Sequence, residues 1–231
     1  MKSLPPFQII FEDNHLLVVN KSAGLLVQGD KTGDNTLIDA CKKYIKEKYK
    51  KPGDVFLGLV HRLDRPVSGL VVLARTSKAL ERMSRIFHDR KIQKKYWAVV
   101  KKKPRNESSK LINWLKKDPS RNIVASYNKE ILGSQKAELK YRVLGKLNEH
   151  YLLEVEPLTG RPHQIRVQLS EMGCPIRGDL KYGFHKPNKD GNINLHARSL
   201  YFTHPVKKSP LTLKAALPED DFWEQFLLLD K

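Results

Sequence analysis

Apolar positions recur along the chain with two different spacings, and the changes between them mark out its elements. Phe7-Gln8-Ile9-Ile10-Phe11 and Leu16-Leu17-Val18-Val19 predict two strands around the turn Glu12-Asp13-Asn14. From Leu37 to Tyr49 the period lengthens: Leu37, Ala40, Cys41, Tyr44 and Ile45 fall on one face of a helix whose lysines point the other way. Two apolar runs follow, Val55–Val60 and Leu70–Ala74, with a polar turn between them that contains Asp64, Arg65, Pro66 and Gly69. Ser77 to Arg90 predicts a second helix, with Leu80, Met83, Ile86 and Phe87 inward, and Gln93 to Val100 predicts a strand with Tyr96 near its middle.

Beyond Val100 the signal weakens. Leu111 to Leu147 gives short β-like pieces between polar turns, and His150 to Leu158 a cleaner strand. Pro162 suits the first turn of a helix running through Met172 and stopping at Gly173. Leu195 to Thr203 and Leu211 to Ala215 predict strands, and Asp220 to Leu229 a closing amphipathic helix. Many strands with a few interspersed helices point to an α+β fold around a mixed, mostly antiparallel sheet. There is no regular βαβ alternation, no GxGxxG and no GxxxxGK[ST], so no nucleotide cofactor is expected.

Composition adds a partner. In 231 residues, 43 Lys and Arg face 25 Asp and Glu, a formal net charge of +18. Neutralising phosphates and releasing their counterions favours an extended anion such as RNA; the plainer reading is a protein kept soluble by its charge. Cys41 and Cys174 are too few for a disulfide framework or a structural zinc site and read as small core residues. The N-terminal Met1-Lys2-Ser3-Leu4-Pro5-Pro6 lacks an apolar signal segment and no run reaches membrane-spanning length, so a cytoplasmic protein is expected.

Within the turn after Val60, His61, Arg62, Asp64, Arg65, Ser68 and Arg75 are crowded together. An acid repels phosphate, so its presence there is costly for a protein that only holds RNA. An anion fixed among cations can serve as nucleophile or general base. Equally, a turn aspartate can satisfy backbone amides or form an ion pair. Local chemistry leaves both open.

Four ordered stretches bear on that choice. His61-Arg62-Leu63-Asp64-Arg65-Pro66-Val67-Ser68-Gly69-Leu70 resembles the signature of the RluA family of pseudouridine synthases. Val18-Val19-Asn20-Lys21-Ser22-Ala23-Gly24-Leu25 resembles its N-terminal motif, and Gln93-Lys94-Lys95-Tyr96-Trp97-Ala98 its tyrosine motif. Leu158-Thr159-Gly160-Arg161-Pro162-His163-Gln164-Ile165-Arg166-Val167 resembles its arginine motif. The departures are Ser22 where proline is frequent, Pro66-Val67 in place of an acid-threonine pair, and Pro162 where threonine or serine is common.

The resemblance implies a single pseudouridine synthase catalytic domain over residues 1–231, a bent sheet flanked by helices, and a central RNA cleft. It implies a compact member without a separate N-terminal RNA-binding domain of the S4 type, and a monomer. The reaction implied cleaves the N1–C1′ bond of a uridine in ribosomal or transfer RNA, turns the base and joins C5 to C1′. That needs neither metal nor redox cofactor. By resemblance Asp64 is the essential carboxylate, Tyr96 offers its ring to the base, and Arg166 pairs with Asp64. Arg62 fills the space of the everted nucleotide, whose extrusion costs a few kcal/mol. Ile165 contacts the uracil, Arg161 binds phosphate or braces its loop, and His61 and His163 orient neighbours or bind phosphate. Lys21 either approaches the site or is a solvated strand end. Two alternatives differ in class. A non-catalytic RNA-binding or ribosome-assembly factor would not need Asp64, Tyr96 and Arg166 together. An N-glycoside hydrolase would need a second acid, which these stretches do not offer.

Overall fold

The computed structural model describes residues 6–29 and 33–229, so the expectation for the N-terminal residues 1–5 lies outside it. The chain forms two compact units, one of Met1–Gln93 with Ala197–Ala216 and one of Lys94–His196 with Leu217–Lys231.

In the first unit, β1 (Phe7–Glu12) and β2 (Leu16–Lys21) form an antiparallel hairpin. Its turn is held by Asp13, whose carboxylate accepts the amides of His15 and Leu16, both at 2.8 Å. Helix α1 (Leu37–Lys48) begins in a capping box. Thr36 accepts the Asp39 amide at 3.2 Å and the Asp39 carboxylate reaches back to the Thr36 amide at 3.3 Å. The next amides, Leu37 and Ile38, donate to the carbonyls of Leu26 and Val27. That uses the donors a helix start leaves over.

Of the apolar run Val55–Val60 only β3 (Gly58–Leu59) pairs, against the end of β4 (Ser68–Ala74); Val55 and Leu57 are instead buried loop anchors. Strand β4 is buried along its whole length, as a near-continuous apolar run requires. It lies antiparallel to β2, and α2 (Ser77–His88), capped by Thr76, packs Ala79 and Met83 against its Leu70, Val72 and Ala74. Strand β10 (Leu195–Thr203) lies beside β4, and β11 (Pro210–Lys214) pairs with β10. Gly69 makes the fit to β10 possible. At φ +113° a Cβ on it would sit 2.4–2.7 Å from the Ala197 backbone.

In the second unit the strand order is β5 (Ile92–Val100), β9 (His150–Pro157), β8 (Gln135–Leu147), β6 (Ser108–Asp118), β7 (Ile123–Tyr127), all antiparallel. The pieces expected between Leu111 and Leu147 are thus long strands, β6 of 11 and β8 of 13 residues. Their inward positions include Ser109 and Asn113, and this polar content hid the alternation. Helix α3 (Gln164–Glu171) covers this face through Val167, against Leu115, Val124 and Ala137. It starts two residues after Pro162, because His163 adopts a left-handed backbone at the N-cap. The closing segment is a short α4 (Asp221–Glu224) followed by a 3-10 turn (Gln225–Leu229), where one helix was expected. Its Trp223 and Phe226 pack with Trp97, Val99 and Leu152. Cys41 and Cys174 are buried and unbridged, as expected of core residues. Among the described residues no helix is long and apolar enough to cross a membrane.

Candidate active site

Asp64, Arg62, His61 and Lys21 belong to the first unit; Tyr96, Arg161, Ile165 and Arg166 belong to the second.

Asp64 sits in the loop entering β4, half-buried between the buried Leu63 and Val67. Its carbonyl accepts the Val67 amide at 3.0 Å, closing a turn over Arg65 and Pro66. The segment Lys21–Leu25 clamps that turn from outside. The Arg65 carbonyl accepts the Gly24 amide at 2.8 Å, while Arg65 Nε donates to the Gly24 carbonyl at 3.0 Å. Lys21 completes the clamp. It is not a solvated strand end but fully buried. Its Nζ donates to the carbonyls of Ser22 and Leu25, both at 2.9 Å, and of Arg65 at 3.3 Å. Burial pushes the Lys21 pKa down to about 7, against the opposing pull of the Asp64 carboxylate. Lys21 therefore reaches Asp64 through its field and through the neighbouring carbonyl, and its three donors are committed to the loop. The structure brings together two stretches that lie some forty residues apart in sequence.

His61 Nε2 accepts the Val72 amide at 3.0 Å, which leaves the ring proton on Nδ1, and the ring stacks on Phe87 at 4.7 Å. Its acceptor nitrogen thus ties the loop to the interior of β4. Arg62 is exposed. Arg65 turns its outer edge to Asp34, 2.9 Å away.

In the second unit Tyr96 stands on β5 opposite Val155, half-buried, while its neighbour Trp97 is buried on the other face of the strand. Arg166 is only 6% exposed. Its Nε and Nη2 donate to the two carboxylate oxygens of Asp179 at 2.7 and 2.8 Å. Its guanidinium lies 5.0 Å from the centre of the Tyr182 ring. Tyr182 is itself fixed, since its hydroxyl accepts the Val124 amide at 3.0 Å and lies 2.6 Å from His163 Nδ1. Ile165, next to Arg166, is buried.

Arg161 braces the loop before α3. Its Nε donates to the Lys136 carbonyl at 3.1 Å and its amide to Gln164 Oε1 at 3.0 Å. Gln164 in turn accepts from Thr159 at 2.7 Å and donates to the Glu138 carbonyl at 2.9 Å. Asp179 and Tyr182 were absent from the residues singled out by sequence. The available signal was an acid and a tyrosine bracketed by Gly178 and Gly183, which alone is weak. Among the described residues no group of three or more His, Cys, Asp or Glu side chains is arranged to hold a metal ion.

Comparisons with known proteins sharpen this picture. Residues 15–171 match the family described as RNA pseudouridylate synthase. Ribosomal large subunit pseudouridine synthase C of Vibrio vulnificus is 34% identical over 217 residues, which span 91% of this chain and 66% of the relative. Ribosomal large subunit pseudouridine synthase D of Zymomonas mobilis is 33% identical over 228 residues, 93% of this chain and 70% of the relative. The chain thus spans about two thirds of the length of these relatives. Among solved structures, human RNA pseudouridylate synthase domain containing 4 superposes with a TM-score of 0.78 at 26% identity, covering 96% of this chain and 92% of the other.

Proposed function

Because the chain belongs to the RNA pseudouridylate synthase family, we propose that it converts uridine in RNA to pseudouridine, with Asp64 as the essential carboxylate. One observation carries this reading: two family-like stretches build a single rigid loop around that carboxylate. Lys21 and Gly24 of the first grip the Arg65 carbonyl of the second, one residue from Asp64. Holding a reacting group in a fixed direction removes the entropy of finding it, and a loop joined to the first stretch by three hydrogen bonds does so.

In this reading Asp64 acts at the glycosidic carbon or the adjacent ribose proton. The Tyr96 ring supports the base, Arg166 serves as partner cation of the carboxylate, and Ile165 supplies apolar contact. Arg62 takes the space of the extruded nucleotide, its exposure suiting a group that enters RNA. Arg161 and His61 act by holding the loops that carry Arg166 and Asp64. Residues 1–231 serve as one catalytic domain, acting as a monomer in the cytoplasm without a cofactor.

The names of the relatives suggest ribosomal RNA of the large subunit as the substrate, with transfer RNA the second choice. Mapping pseudouridines in total RNA from cells with and without the gene tests this. One or a few sites missing from large-subunit RNA is the expected result. An unchanged map would contradict the reading and favour a binding or assembly role for the same basic surface.

A further inference from the structure

Arg166 is held by more apparatus than a surface ion pair needs. Two donors on one edge of the guanidinium meet both oxygens of Asp179, with side-chain exposures of 7% and 1%. An aromatic ring covers one face, and that ring is pinned by a backbone amide on β7 and by the His163 imidazole. The parts come from α3, its left-handed cap, β7 and the 3-10 turn Leu180–Tyr182, whose preceding residue is Asp179.

A buried ion pair of this kind is weak evidence for stability, since taking two charges out of water offsets most of their attraction. What bidentate pairing and ring stacking do supply is direction: they fix the plane of the guanidinium and its rotation within that plane. Asp179 takes the Nε/Nη2 edge, so the Nη1 side of the same group points away from it.

We propose that Asp179 and Tyr182 are positioning residues for Arg166, holding the guanidinium in the one orientation in which it takes part in the reaction. The proposal rests on the synthase reading above and deepens it. Neither residue falls within the stretch 15–171 that matches the family. Asp179 sets the in-plane direction. Tyr182 sets the plane, and its hydroxyl couples that plane to the His163 cap from which α3 starts. Neither touches the uridine; both act through Arg166.

The test uses the full chain in steady-state pseudouridine formation on large-subunit ribosomal RNA, with circular dichroism and Tm to confirm folding. Asp179→Asn keeps the size and removes the charge. It is expected to lower kcat by about 10- to 100-fold, as misplacement of a remote support does, with KM within about threefold of the parent. Asp179→Glu should recover part of the loss. Tyr182→Phe, which keeps the ring and loses the hydroxyl, should lower kcat by a smaller factor at unchanged KM, and it serves if the aspartate variants do not fold.

The decisive readout is coupling. In an Arg166→Lys background both substitutions should have little further effect on kcat, because their route to the chemistry is already cut. Folded Asp179→Asn or Tyr182→Phe protein with kcat within twofold of the parent would overturn the proposal. So would losses that multiply with that of Arg166→Lys, or that fall on KM alone. A parent protein that forms no pseudouridine would overturn the synthase reading itself, whereas an active parent with indifferent variants would overturn only the positioning role.

Discussion

Asp13 illustrates how one side chain can organise a turn and set a pH limit. Burial opposes its ionisation, yet Lys207 and the amides of His15 and Leu16 outweigh that and hold its pKa at about 2. His204 adds to the cluster. Its Nδ1 accepts the amides of Val206 and Lys207, and its Nε2 lies 3.1 Å from Asp13 Oδ2. The folded-state pKa lies below the ordinary 3.8, so this carboxylate stabilises the fold above about pH 4. That contribution is lost as the pH falls from about 4 through about 2. Urea unfolding of the parent and Asp13→Asn between pH 2 and 6 should show a gap of about 2 kcal/mol near neutrality that closes toward pH 2. A gap constant with pH would contradict the assignment. Lys21 gives a second residue-scale expectation. Lys21→Met leaves the Ser22, Leu25 and Arg65 carbonyls without the ammonium, and stability should fall by about 1–3 kcal/mol. An unchanged Tm would show that the clamp is dispensable.

Elements were legible in the sequence where burial is one-sided or complete, and obscure where polar groups are buried in pairs. The two hairpin strands, α1, α2 and β4 announce themselves through apolar spacing and capping residues. Helix α3 does not. Every residue from Gln164 to Leu169 is buried, three of them polar, so no amphipathic face exists to read. Gln164, Arg166 and the Gln168 amide nitrogen find partners in Thr159, Glu138, Asp179 and Asn113, 5 to 55 residues away. The same holds at the candidate site. Asp64, Tyr96 and Arg166 were legible as members of motifs, whereas the burial of Lys21 depends on a carbonyl 44 residues distant. The Arg166–Asp179 pair spans 13 residues, a separation no helical or strand period suggests. Gly69 tests the packing of elements directly. A Cβ there meets the Ala197 backbone at under 3 Å on a strand where φ is +113°, so Gly69→Ala should cost at least about 2 kcal/mol. Gly53 is the control, since a methyl group there would have nothing within 4 Å and its φ is not positive. Gly53→Ala should be neutral or slightly stabilising. Equal Tm changes for the two substitutions would contradict the close approach of β4 and β10.

For the whole molecule the dominant quantity is the charge of +18. Binding driven by counterion release weakens steeply with salt, and about six to ten phosphate contacts to single-stranded RNA would give a log–log slope of about −4 to −7. A flat salt dependence would show that the lysines contribute little to holding RNA. Charge, however, is shared by every RNA-binding protein, and membership of the synthase family makes a sharper claim on one carboxylate. Joining C5 of uracil to the ribose expels the hydrogen at C5, so RNA carrying tritium at that position reports each turnover. Parent protein and Asp64→Asn, compared at equal RNA occupancy on large-subunit ribosomal RNA, should differ by at least ~100-fold in tritium release, the scale on which an acting carboxylate contributes. Equal release from the two proteins would contradict the account at its centre.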